Sequence, residues 1–142
     1  EKGDKRAIIA VAARLEHQDF YVRWVALDAL PQVAEKGGDC AIIAVAARLE
    51  DNDTDVRRVA VKGLAEIANK GNEWAITAVA ARLEDHEGFV RRAAVNALAK
   101  IAGKGENPSS NEAAVPSETG TIAAGKVFGR APKIHLLDIL FC

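Results

Sequence analysis

The dipeptide Lys-Gly occurs four times, at Lys2-Gly3, Lys36-Gly37, Lys70-Gly71 and Lys104-Gly105, and the interval between occurrences is constant. Cutting the chain there gives three units, residues 2–35, 36–69 and 70–103, in which sixteen of the 34 columns hold one residue throughout. The segment AIIAVAARLE stands unchanged in the first two units and differs only at Thr77 in the third. A fixed period of this length means a stack of like supersecondary units, each too small to bury its apolar stripe alone.

Each unit reads as two helices. The first covers about residues 7–16, 41–50 and 75–84, rich in Ala, Leu and Arg, with Ile8, Val11 and Leu15 at helical spacing. A short acidic break follows, and then a second helix. Its apolar stripe is Val22, Ala26, Ala29, Leu30 and Val33 in unit one, repeated as Val56, Ala60, Gly63, Leu64 and Ile67, and as Val90, Ala94, Ala97, Leu98 and Ile101. The glycine of each Lys-Gly pair suits the left-handed position after a helix. Pro31 stands where the other units have Ala65 and Ala99, and predicts that the second helix of unit one bends or ends early. Asp19, Asp53 and Glu87 open the second helices, and Arg23, Arg57 and Arg91 follow four residues on. Acid and arginine at that spacing can pair along a helix, and their repetition in every unit can extend them into a charge ladder between units. An anion site is the competing reading of these arginines, but identity in every unit suits a scaffold.

The pattern formed by Leu49, Asp51, Asp53, Val56, Arg57, Ala60 and Leu64 resembles the HEAT repeat. It is most similar to the HEAT-like variety of phycobilisome bilin-lyase proteins and of many scaffold proteins. The resemblance implies an all-α solenoid of three helical hairpins over residues 1–103, and a protein that binds other proteins rather than one that catalyses. It implies further that the second helices line a concave groove. On that face the columns vary while their neighbours do not. They hold Tyr21, Trp24, Asp28 and Gln32 in unit one, then Asp55, Arg58, Lys62 and Glu66, then Phe89, Arg92, Asn96 and Lys100. Tyr, Trp and Arg are the types enriched in interface hot spots. The expected partner is therefore another protein or peptide. An exposed Trp24 without a companion is the strongest pointer among them. The alternative is a bilin-lyase-like accessory protein holding a tetrapyrrole and its acceptor protein.

Other chemistry finds little footing. Lys plus Arg is 19 against 20 for Asp plus Glu, a net charge of −1, which argues against nucleic acid. The longest apolar run of the repeats, residues 7–13, is too short for a membrane. Two cysteines, Cys40 and Cys142, form no disulfide framework, and no secretory pattern opens the chain, so an intracellular setting is expected. Nucleophile-elbow, P-loop, zinc-protease and C-x-x-C motifs are absent, and the repeats hold no serine. His86 between Asp85 and Glu87 does not make a metal site, because adjacent residues rarely converge on one ion. Neither a cofactor nor a metal is expected. Residues 104–120 read as a flexible linker, with two of the four prolines, and residues 121–142 as a tail that is either disordered or an end cap. The chain holds no Met, which suggests a piece of a longer array. Its ends, with Ile8, Val11 and Leu15 expected to face an absent neighbour, suggest self-association.

Overall fold

The computed structural model describes residues 2–102. Among them are six α-helices and no strand: α1 (Lys5–Ala13), α2 (Phe20–Val33), α3 (Asp39–Ala46), α4 (Thr54–Ile67), α5 (Glu73–Ala80) and α6 (Gly88–Ile101). Equivalent helices begin at equivalent columns of the repeat. The first helix of each pair starts two residues before the sequence suggests, at the caps Asp4, Gly38 and Asn72, and tightens into a 3₁₀ turn at Arg14–Glu16, Ala47–Glu50 and Ala81–Glu84. The linker and tail assigned to residues 104–142 lie outside the described residues.

The three hairpins stack side by side. α4 is clasped between α2 and α6, whereas α1, α3 and α5 touch one another more sparsely. The second-helix stripe forms the core: Leu30, Val56, Ala60, Leu64, Ile67, Val90, Ala94 and Ile101 are all buried. A further column, Leu27 and Val61, is buried between units, and it turns what would be an amphipathic helix into one covered on two sides.

Three expectations need correction. Ile8 and Leu15 do not form an exposed end; both are buried, because the large side chains of α1 point into their own hairpin and towards the next. The uncovered large apolar residues are instead Phe20, Tyr21 and Val25 on α2, and Trp74, Leu83, Phe89 and Val95 in unit three. Val25 is exposed where its equivalent Val59 is buried, and Leu83 and Val95 are exposed where Leu49 and Val61 are buried, so a stacked unit is what covers these columns. Second, Pro31 does not shorten α2, which runs the same 14 residues as α4 and α6. The proline lies in the last turn, and its ring packs over Gly63 of the neighbouring helix, where no side chain competes for the space.

Third, the repeated glycines do not cap the preceding helix: Gly37 and Gly71 stand four residues past Val33 and Ile67, the ends of α2 and α4, beyond the C′ position. Gly3, Gly37 and Gly71 have φ of 89°, 83° and 81°, the left-handed region. They open their units, and their N–H groups donate to the carbonyls of Val33, Ile67 and Ile101, the last residues of the second helices of those same units. Each glycine therefore ties the start of a hairpin to its end, and satisfies a carbonyl that the helix leaves without an internal donor.

Candidate functional site

Asp19 and Asp53 cap the second helices through their side chains. Asp19 accepts from the Tyr21 N–H at 2.9 Å, and Asp53 from those of Asp55 and Val56 at 2.9 and 3.1 Å. Glu87 occupies the same position without a side-chain cap. These caps fix where each helix begins, and so fix which of its columns face outward.

The charge ladder exists, but its carboxylates come from another column. Arg23 donates from Nε and Nη2 to Asp51 at 2.9 and 3.0 Å, and Arg57 to Asp85 at 2.9 and 3.3 Å. Each arginine reaches into the following unit, while the acid that precedes it on its own helix is occupied as a cap. Arg23, Arg57, Asp51 and Asp85 are all buried. Asp51 and Asp85 also accept the N–H groups of Asp53 and Glu87 at 2.9 Å, which shapes the turn into the second helix. His17 takes that place in unit one, its Nδ1 accepting from the Asp19 N–H at 3.0 Å. Burial raises the pKa of the Asp85 carboxyl, but the Glu87 N–H, the Arg57 guanidinium and the Arg82 charge outweigh it and hold the group below its ordinary value. Arg91 repeats the inward half of this arrangement, donating to the Asp85 carbonyl at 2.7 Å as Arg57 does to that of Asp51 at 2.8 Å. Its side chain is exposed, and no carboxylate among the described residues meets its outer edge. Asp51 and Asp85 are the structural residues that the sequence reading missed. Their shared column was visible, but His17 breaks it in unit one.

The variable columns of the second helices fall on a face away from this ladder. Tyr21 is 60% exposed, and its ring stacks on Trp24 with centroids 5.9 Å apart and planes 11° from parallel. Trp24 is not the exposed, unaccompanied residue that was expected: it is half-buried and packs against the core. Asp28 is exposed, and its carbonyl accepts from the Gln32 amide at 3.5 Å. Asp55 lies 3.5 Å from Arg58, one turn along α4. Between α4 and α6 runs an open groove of about 380 Å³. Arg58, Lys62, Phe89, Arg92, Asn96 and Lys100 rim it, and Ala65, Ala93 and Ala97 form its floor. The structure thus brings together six residues of the expected face, Arg58, Lys62, Phe89, Arg92, Asn96 and Lys100. Tyr21, Trp24, Asp28, Gln32, Asp55 and Glu66 stand outside this groove.

Among the described residues, no group of three or more His, Cys, Asp or Glu side chains is placed to hold a metal ion. Cys40 is a half-buried free thiol, and His86 is exposed. No helix there is long and apolar enough to cross a membrane.

A comparison with curated proteins gives no match. The family model for HEAT repeats matches residues 42–116, more than half of the chain, and reaches beyond residue 103, where the sequence columns stop repeating. HEAT repeats generally mediate contacts between proteins, and scaffolds built from them are typically not enzymes. Paired helices, stacked hairpins and this match agree: the chain belongs to the HEAT repeat family.

Proposed function

We propose that this chain is a protein-interaction module that takes a segment of its partner along the second-helix face. The observation that carries the reading is Phe89, 69% exposed on the rim of a groove whose other walls are long polar side chains. A large aromatic ring left in water amid groups able to hydrogen-bond is the composition of an interface anchor with its rim. The second helices also form the more extensive contact along the stack, so the face they share is continuous from unit to unit. The groove is open along its length, a form that suits an extended or helical peptide better than an enclosed tetrapyrrole.

The test is capture of a partner from extract of the source cell, followed by titration of that partner against variants. Phe89→Ala should weaken binding by about tenfold or more with helical content unchanged. Trp74→Ala, on the outer helix α5 and 41% exposed, should bind as the parent does. The opposite pattern would move the binding surface to the first helices.

A further inference from the structure

The second-helix face is uneven in charge. Over α2 it presents Tyr21, Trp24, Asp28 and Gln32, one acid and no base. Over α4 and α6 it presents Arg58, Lys62, Arg92 and Lys100 around Phe89, and no acidic residue lines that groove. The two acids of the same α4 face stand just outside the groove: Asp55 lies 3.5 Å from Arg58 and offsets that charge, and Glu66, four residues after Lys62, lines the adjoining hollow with Lys100. Four cations gathered on one groove are a local excess in a chain whose net charge is −1. The invariant arginines Arg23 and Arg57 contribute nothing to it, since both are buried against aspartates. The rim cations come from variable columns. Stacking of the units does not require them.

We infer that the α4–α6 groove binds an acidic segment of a partner protein. Its carboxylates meet Lys62, Arg92 and Lys100, while an apolar side chain lies against Phe89 over the alanine floor. The inference rests on the reading that the second-helix face binds protein, and adds the chemistry of what is bound. Arginine presents a planar fork that matches a carboxylate in two hydrogen bonds, and lysine a point charge that tolerates variation in position. The positive field raises the rate of encounter with an acidic chain and favours it over neutral competitors. A nucleic-acid backbone would share the attraction but needs a longer positive track. Lys2 and Lys36 in the hollow that adjoins the groove lengthen the track, but Glu66 in that hollow and Asp28 on α2 set carboxylates along it that a chain of phosphates meets unfavourably.

The test uses the full chain and a short fluorescein-labelled peptide of Asp and Glu with one central Leu, followed by fluorescence anisotropy. The peptide should bind, and its affinity should fall severalfold between about 0.05 and about 0.3 M salt. Lys62→Glu combined with Arg92→Glu should weaken it by about tenfold or more, and the matching peptide of Lys and Arg should not bind. Equal binding by the reversed variant, or no binding of the acidic peptide, would overturn the inference. A single-stranded oligonucleotide of the same charge binding more tightly would overturn it in favour of nucleic acid. Binding that emerges only after Glu112→Gln and Glu118→Gln would assign the groove to the chain's own C-terminal segment, and overturn it likewise. If the reversed variant keeps the captured cellular partner while Phe89→Ala loses it, the acidic chemistry is wrong and the face is right. If neither change matters to that partner, both fall.

Discussion

Arg57→Ala and Arg91→Ala remove the same side chain from the same column, yet the structure predicts different losses. Arg57 is buried, with side-chain exposure of 6% against 1% for Asp85. It donates twice to that carboxylate, at 2.9 and 3.3 Å, and at 2.8 Å to the Asp51 carbonyl. Truncation leaves Asp85 charged in a dry interface between units, with Arg82 at 3.3 Å and the Glu87 N–H at 2.9 Å as its remaining partners. Removing one member of a buried pair costs about 3–5 kcal/mol. Because two partners remain, the lower end applies, and about 3 kcal/mol is a large share of a domain's stability of about 5–15 kcal/mol. Arg91 is exposed and makes one hydrogen bond, to the Asp85 carbonyl, so its loss should cost about 1 kcal/mol. Urea unfolding followed by helical circular dichroism measures both. Equal losses for the two variants, or less than about 1 kcal/mol for Arg57→Ala, would refute a ladder that works by burying charge.

The same pair gives the experiment a pH dependence. Asp85 is held below its ordinary pKa in the folded chain. Its contribution is therefore complete above the unfolded value of about 3.9, and is lost as pH falls through the folded value. The gap between parent and Arg57→Ala should be widest near neutrality and should narrow below about pH 4, where protonation removes the pair from the parent as well. A gap that widens in acid would mean that a different group carries the effect.

Glycines of two kinds give opposite forecasts. Gly63→Ala should stabilise by about 0.5–1 kcal/mol, because a helix-interior glycine is replaced and the new methyl would lie 3.7 Å from the Leu27 carbonyl and 3.8 Å from Pro31 and Val45, ordinary contacts. A lower melting temperature would show that the Pro31 ring needs more room than those distances imply. Gly37→Ala should destabilise by more than Gly71→Ala. Both force a left-handed residue at about 1–2 kcal/mol, but only at Gly37 does the methyl also run into a neighbour, Asn69. Thermal melts rank the two, and equal losses would mean that Asn69 swings aside freely.

The helices and their order were legible because stacking imposes one pattern on every unit. The contacts that lock the units together were harder to read, because they join different hairpins, or opposite ends of one, while the pattern invites a partner one helical turn away. Arg23 beside Asp19 is an ordinary local pair on paper. In the fold the aspartate is consumed by the Tyr21 N–H, and the arginine turns to Asp51 in the next hairpin. The glycine after each lysine likewise looks like the end of a helix, and instead opens a hairpin whose far end it ties down. The candidate groove was legible from one comparison, applied to adjacent residues. Arg57 and Arg58 are chemically identical neighbours, about 100° apart around α4. Arg57 stands in a column that is arginine in every unit and is buried in the ladder; Arg58 stands in a column shared with Trp24 and Arg92 and lines the groove. A residue that must fit the same neighbouring unit each time cannot change, whereas one that faces outward is free to differ between units. Trp24 marks the limit of that rule: its column varies, yet its ring is wide enough to reach both Tyr21 and the core, so it packs as well as faces out. Column variability therefore separates the two arginines, and side-chain size decides how far each variable residue is also part of the scaffold.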